Sequence, residues 1–267
     1  MEPAEQIELI DPAARPDRRA PGELRQISLE RGFNRYAEGS AIVRWGDNVV
    51  YCTASLEEKV PSFLRGSGRG WVSAEYAMLP RSTRERKQRD IRRGHLDGRS
   101  SEIQRLIGRS MRAAVDLAAM GERTIWIDCD VVQADGGTRS ASITGAFVCL
   151  VDALRRIWKE TDELPLLAQV AAVSAGKRNG KIILDLCYEE DSSADVDCNV
   201  VKTSSGKFVE FQGTGEGGFF STEELSEIVS LADEGLARLY RVQRDVLELT
   251  RSEKALFDAL AAGERLG

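Results

Sequence analysis

The sequence predicts an α+β fold in which helices cover mixed sheets. Three observations carry this. The candidate elements run strands, helix, strand, helix, then strands and helix again. No stretch rich in Pro, Gly or Ser divides the 267 residues, so one compact domain is expected over 15–250, after a flexible arm at 1–14 and before a C-terminal helix or tail at 251–267. No self-similar period of about 20–50 residues is visible, which sets aside solenoids and propellers.

The elements follow in order. Residues 40–56 hold two β-rich runs around Trp45-Gly46-Asp47-Asn48, a hairpin signal. Residues 58–71 read as loop, and 72–79 as a short strand stopped by Pro80. A helix is predicted over 101–119, opened by a capping box of Ser101 and Gln104, with Ile103, Leu106, Ile107, Ala114 and Ala118 as its apolar stripe. On it Arg105, Arg109 and Arg112 form one ridge, whose ordinary reading is a solvated face. Residues 124–132 alternate as a strand, and a second helix opens at about Thr138 and runs to about Lys159. A strand pair is expected at 166–174 and 180–187, then a hairpin at 195–202 and 207–213 around Thr203-Ser204-Ser205-Gly206. In its first strand Asp195, Asp197 and Asn199 share one face. Ser221 and Glu224 form a capping box for the last long helix, whose buried stripe is Leu225, Ile228, Val229, Ala232, Leu236 and Leu239.

Composition excludes several classes. With 42% hydrophobic and 30% charged residues the chain reads as globular and soluble. No apolar run approaches the roughly 18 residues of a membrane span. The first 20 residues lack the basic and apolar regions of a secretory signal. Cys52, Cys129, Cys149, Cys187 and Cys198 are odd in number and form no CxxC pair, which suits a reducing cytoplasm. With His95 as its one histidine the chain cannot build a multi-His metal site, so any metal should be a hard cation on carboxylates.

Charge is unevenly placed. Residues 81–99 hold eight basic side chains against Glu85, Asp90 and Asp97; this stretch is +5, which leaves −11 for the rest of a chain whose net charge is −6. A basic loop on an acidic body suits a ligand with repeated negative charges. The opposite feature lies at 185–197, where Asp185, Glu189, Glu190, Asp191, Asp195 and Asp197 occur with no Lys or Arg among them. One cluster can hold a polyanion and the other a metal that acts on it.

Between a strand and a helix lies Gly136-Gly137-Thr138-Arg139. Two glycines let backbone approach an anion, the first helical turn offers unpaired N–H groups, and Thr138 and Arg139 add side-chain donors. It is not a Walker A loop, and a tight turn with an N-cap is the plainer reading of the motif alone. A second Gly-Arg element, Gly98-Arg99, stands at the start of the predicted 101–119 helix. If both helix starts face one cleft, they form a two-Arg pocket for inorganic phosphate.

At these residues the sequence resembles ribonuclease PH, the phosphorolytic 3′-to-5′ exoribonuclease family. The matching stretches are EYAMLPRST (75–83), GRSSEIQRLIGRSMRAAVDL (98–117), DCDVVQADGGTRSASITGA (128–146) and DSSADVDCNVV (191–201), with FVEFQGTGEGGFF (208–220) in outline. The likeness runs from about 14 to about 250. It implies a fold of duplicated β/α units in two layers. It assigns phosphate binding to Arg99, Gly137, Thr138 and Arg139, catalytic and metal-bound carboxylates to Asp191 and Asp197, and RNA binding to Arg81, Arg86 and Arg89. It further implies Mg²⁺ or Mn²⁺ as cofactor and inorganic phosphate as co-substrate. The partners implied are tRNA precursors, other RNA 3′ ends including rRNA, and copies of the chain itself in a homohexamer, a trimer of dimers.

Three stretches depart from the family pattern: an extra arm over the first dozen or so residues, Arg92–Asp97 with an acid at 97, and the glycine-rich Gly215-Glu216-Gly217-Gly218. Composition alone leaves Asp185, Glu190 and Asp195 equal to Asp191 and Asp197 as metal candidates; the resemblance selects the last two and leaves Asp185 and Asp195 as surface or supporting residues. His95 is expected to be a backbone-phosphate contact or a solvated loop residue.

Overall fold

The computed structural model describes residues 15–89, 97–158 and 164–264. The arm at 1–14 and the stretch with Arg92, Arg93 and His95 lie outside the described residues.

The first half builds a five-stranded sheet from β1 (Ile27–Arg31), β2 (Gly39–Trp45), β3 (Asn48–Glu57), β4 (Trp71–Met78) and β5 (Thr124–Gln133), in the spatial order β1-β2-β3-β5-β4. β2 and β3 form the expected hairpin: Trp45 pairs with Asn48 across a two-residue turn, and Gly46 takes a φ of 56° there. β4 runs parallel to β5 while the other pairings are antiparallel, so this sheet is mixed. The second half builds a four-stranded antiparallel sheet from β6 (Val170–Arg178), β7 (Lys181–Leu184), β8 (Val196–Thr203) and β9 (Phe208–Thr214), in the order β7-β6-β8-β9. The expected hairpin over 195–213 is β8–β9.

Among the described residues, five α-helices cover these sheets: α1 (Gly98–Ala114), α2 (Thr138–Ile157), the single turn α3 (Tyr188–Asp191), α4 (Thr222–Leu247) and α5 (Arg251–Ala262). From Thr138 to Leu154, α2 is buried at every residue except Arg139 and Asp152. A helix apolar all round belongs inside the protein, and α2 packs against β2 and β3 of one sheet and β6 of the other. One continuous hydrophobic core therefore runs from Val43 and Ile127 through Phe147 to Val173 and Leu236. Phe147 meets Phe257 of α5 edge-on at 6.2 Å, which closes the far side of this core. The architecture is the predicted α+β arrangement of two sheets packed on helices.

Three boundaries differ from the sequence reading. α1 starts at Gly98 with Asp97 as its N-cap, and no side chain caps it. Ser101 lies inside its first turn, donating its N–H to the Asp97 carbonyl at 2.9 Å. α1 stops at Ala114 because Val115 turns extended and bridges to Leu166, so Ala118 is exposed instead of joining the stripe. The same bridge delays the next strand, which starts at Val170, and its partner is the four-residue β7. The capping box at Ser221 and Glu224 is present: Glu224 N–H donates to Ser221 Oγ at 3.2 Å, and Glu224 accepts from the Ser221 N–H at 2.9 Å.

Candidate active site

The parallel pairing of β4 and β5 decides where the site lies. Parallel neighbours end on the same side of a sheet, so the loop leaving β4 at Leu79 and the loop leaving β5 at Ala134 emerge together. They are tied there by Leu79 N–H on the Val131 carbonyl and Ala134 N–H on the Ser82 carbonyl, at 2.9 and 2.8 Å. The β4 loop carries Arg81, Arg86 and Arg89, all exposed, and the β5 loop carries Gly136-Gly137-Thr138-Arg139.

The two glycines are required. Gly136 and Gly137 have φ of 69° and 70°, in the left-handed region. A Cβ on Gly136 would sit 2.6 Å from the Leu186 carbonyl oxygen, and one on Gly137 would sit 3.3 Å from Arg25 Nη2. The loop thus lies directly on the chain that leads to Asp191. Buried Asn48 fixes it from beneath, donating to the Gly136 carbonyl at 2.6 Å and accepting the Asp135 N–H at 2.7 Å.

Thr138 begins α2, and its Oγ1 shares a hydrogen bond of 2.8 Å with the hydroxyl of Tyr76 from β4. Burial pushes the Tyr76 phenol above its ordinary value, while the bond to Thr138 and the positive charges of Arg99 and Arg139 oppose the shift. The same two guanidiniums act on Asp191. Its carboxyl is raised by burial and by Glu216, against the pull of Arg99, Arg139 and Arg25. Arg99 from α1, Thr138 and Arg139 from α2, and Asp191 from α3 therefore occupy one neighbourhood, although they come from three helix ends.

Asp197 completes the group. Burial, then the Asp191 charge, raise its carboxyl to about 6, and Glu216 adds to this while Arg139 and a hydrogen bond from Asn199 oppose it. Asn199 Nδ2 donates to Asp197 Oδ2 at 3.2 Å, so the two side chains share a face of β8 as alternation predicts. The other oxygen, Oδ1, is buried and has no hydrogen-bond partner among the described residues. A buried orphan acceptor beside a second half-buried carboxylate is a donor set that suits a hard cation. Among the described residues no group of three or more His, Cys, Asp or Glu forms a metal cage. A cation here would draw its remaining oxygens from substrate phosphates and water, as Mg²⁺ characteristically does.

The other acidic candidates do different work. Asp185 is 1% exposed rather than on the surface. It accepts from Arg25 Nη2 at 2.7 Å, from the Arg25 N–H at 2.7 Å and from Trp45 Nε1 at 2.9 Å. Glu190 is fully buried and takes both arms of Arg15, at 2.7 and 2.9 Å. Arg25 also reaches the Gly136 carbonyl at 3.2 Å and pairs with Asp135 at 3.2 Å. These carboxylates are committed to holding the loop and α3 together, which removes them as metal ligands. Asp195 accepts the Gly217 N–H on its carbonyl at 3.2 Å and so anchors the glycine-rich loop that brings Glu216 close.

The Arg ridge of α1 is also occupied. Arg109 pairs with Glu210 of β9 while staying partly exposed, and Arg112 lies 4.4 Å over the Trp71 ring and donates to the Val72 carbonyl; Arg105 is exposed. Sequence reasoning did not single out Tyr76 or Gln212. Tyr76 lies within the EYAMLPRST stretch that carries the resemblance. Gln212 lies within the FVEFQGTGEGGFF stretch that matches in outline, and its register opposite Asn199 needs the β8–β9 pairing to be known.

Models of the 3′ exoribonuclease family match the chain in two consecutive parts, domain 1 over residues 23–155 and domain 2 over residues 168–235. The chain belongs to the 3′ exoribonuclease family. Solved structures share the fold of this family member at low identity. Rice (Oryza sativa) Rrp46 superposes with a TM-score of 0.71 at 19% identity, over 87% of this chain and 100% of that one. A chain of the Archaeoglobus fulgidus exosome with RNA bound to the active site gives 0.69 at 22% identity, over 86% and 92%. A chain of an archaeal exosome core gives 0.66 at 21% identity, over 87% and 91%.

Proposed function

We propose that this chain is a phosphate-dependent 3′-to-5′ exoribonuclease of the ribonuclease PH type. It trims the 3′ ends of tRNA precursors and releases nucleoside 5′-diphosphates: RNA of n nucleotides plus phosphate gives RNA of n−1 plus a nucleoside diphosphate. What supports this reading is that the charges of Arg99 and Arg139 both act on Asp191, whose own charge acts on Asp197, an aspartate with one oxygen unpartnered among the described residues.

The chemistry fits these side chains. Orthophosphate is already an oxyanion near neutral pH, so the site needs no strong general base. Its task is to bring two anions together. Arg99, Arg139, the Thr138 hydroxyl and the N–H groups at the start of α2 neutralise and orient the phosphate for in-line attack, a contribution of proximity and fixed charge. Asp191 and Asp197 are the residues that would hold Mg²⁺ or Mn²⁺, which when bound neutralises charge at the scissile phosphodiester and the departing 3′-oxygen. The exposed Arg81, Arg86 and Arg89, on the loop beside the pocket, draw in the RNA backbone. No helix among the described residues is long and apolar enough to cross a membrane. A cytoplasmic homohexamer, built as a trimer of dimers, completes the proposal.

The test is incubation of the purified chain with a 3′-extended tRNA, with and without phosphate, and identification of the released nucleotide. Nucleoside diphosphate that forms only with phosphate supports the reading, and a homogeneous hexamer of this chain alone supports the assembly. Monophosphate released without phosphate indicates hydrolysis. RNA bound without any release indicates a silent ring subunit.

A further inference from the structure

The face of the second sheet that carries Asp197 continues across the hairpin onto β9. Gln212 stands opposite Asn199, and Glu210 stands opposite Val201. Residues directly opposite share a face, so Glu210 and Gln212 line the approach to Arg139. They are not idle there. Arg109 of α1 grips Glu210 with two parallel bonds, Nε to Oε2 and Nη2 to Oε1, both 2.7 Å. Glu210 Oε1 also accepts from Gln212 Nε2 at 2.9 Å. The other end of the Gln212 amide, Oε1, accepts from Arg139 Nη1 at 3.0 Å. The order is dictated by chemistry. A carboxylate only accepts and a guanidinium only donates, so the amide between them fits one way round.

We propose that Arg109, Glu210 and Gln212 form a positioning relay that holds the Arg139 guanidinium towards its phosphate, with Gln212 setting how tightly orthophosphate binds. The proposal rests on the phosphate-binding role given to Arg139 above. Arg139 is a long side chain on a half-exposed position, and ordering it on ligand binding costs rotamer freedom. Gln212 takes one of its five donors and so restricts it beforehand, which is preorganisation. It does this with a neutral oxygen. A carboxylate at the same place would form an ion pair with Arg139 and compete with phosphate for its charge. The charge of Glu210, one residue pair further along the strand, is matched by Arg109 and stays out of that competition. Since α1 carries Arg99 in its first turn and Arg109 further along, the relay also ties the helix of one phosphate arginine to the other arginine.

The test compares wild type with Gln212→Leu, Gln212→Glu and Glu210→Gln in two measurements. One is calorimetric titration of inorganic phosphate into the RNA-free protein. The other is the rate of nucleoside diphosphate release from a short unstructured RNA at varied phosphate. Loss of the charge-assisted hydrogen bond in Gln212→Leu, and an ion pair that competes with phosphate in Gln212→Glu, each predict phosphate binding weaker by about 5–10-fold or more. Gln212→Glu is expected to have the larger effect and Glu210→Gln the smallest, while kcat at saturating phosphate and KM for RNA stay within about twofold. A merely structural role would instead lower kcat, both KM values and the melting temperature together. Unchanged phosphate affinity in both Gln212 variants overturns the relay. Wild type that binds phosphate, with the variants weakened, but releases no nucleoside diphosphate leaves the relay standing and overturns the phosphorolytic reading. Wild type that binds no phosphate overturns both.

Discussion

Two pairs of carboxylates from one short acidic stretch behave in opposite ways. Asp185 and Glu190 are buried to 1% and 0% exposure, deeper than Asp191 and Asp197, and burial by itself would raise their carboxyls. Yet Arg25 holds Asp185, and Arg15 holds Glu190, below the ordinary carboxylate range. Asp191 and Asp197 are less buried and are nevertheless raised. What separates the pairs is the supply of partners. Arg15 and Arg25, from the chain ahead of β1, saturate the first pair, and among the described residues Asp197 Oδ1 is left without a hydrogen bond. Carboxylates whose charge is met inside the protein build structure, and those whose charge is left unmet can serve a ligand.

Removing a partner from the saturated pair is the most drastic way to break this contrast. Asp185→Ala strands the Arg25 guanidinium in the interior and is expected to cost about 3–5 kcal/mol of stability, read from denaturant unfolding. A loss typical of a surface site would refute the division. Because the folded-state carboxyl of Asp185 is lowered, its contribution is present at neutral pH and is lost as pH falls below its ordinary 3.8.

The two arginines proposed to bind phosphate come next. Arg139→Ala or Arg99→Ala is expected to lower kcat/KM for phosphate by about 2 kcal/mol or more, roughly 30-fold, in phosphate titrations of the cleavage rate. Unchanged phosphate dependence in both would remove the pocket.

Asp197 sharpens the comparison through its opposite sign. Its folded carboxyl is raised from 3.8 to about 6, so the folded state binds the proton more tightly than the unfolded chain. Stability from this group is full below about pH 4 and is lost as pH rises to about 6. Asp197→Asn is expected to flatten that slope. Above pH 6, Mg²⁺ is expected to raise the unfolding midpoint of wild type and to leave that of the variant unchanged, which reports cation binding without any assay of activity. An identical Mg²⁺ response in both proteins would exclude Asp197 as a ligand.

The smallest effect belongs to charges that face water. Arg86→Ala is expected to weaken use of a structured tRNA precursor by about threefold and to make its salt dependence shallower by about one unit of slope, with little change on a short oligomer. Equal losses on both substrates would take Arg86 out of the RNA interface.

Local signals located the β2–β3 and β8–β9 hairpins and the Ser221 cap, because turn residues and a capping box act within a few positions. The ends of α1 were misread for the converse reason. Its stop is set by the bridge from Val115 to Leu166, about fifty residues away, which no local window contains. The site divides in the same manner. Resemblance is what proposes Arg99, Gly137, Thr138, Arg139, Asp191 and Asp197 as site residues, since composition alone leaves the acidic candidates equal. The commitment of Asp185 depends on Arg25, 160 positions earlier, and the seating of Arg139 on Gln212 spans 73 positions. Such pairings exist only once the sheets are assembled.

The position of Thr138 has a thermodynamic consequence. It opens a helix enclosed by protein from Ser140 to Val151, and its backbone donors are therefore as immobile as the interior itself. An oxyanion arriving there meets a rigid template that folding has already set in place. Its capture should accordingly carry little change in heat capacity, and amide exchange along α2 should be as slow in the empty protein as in the complex.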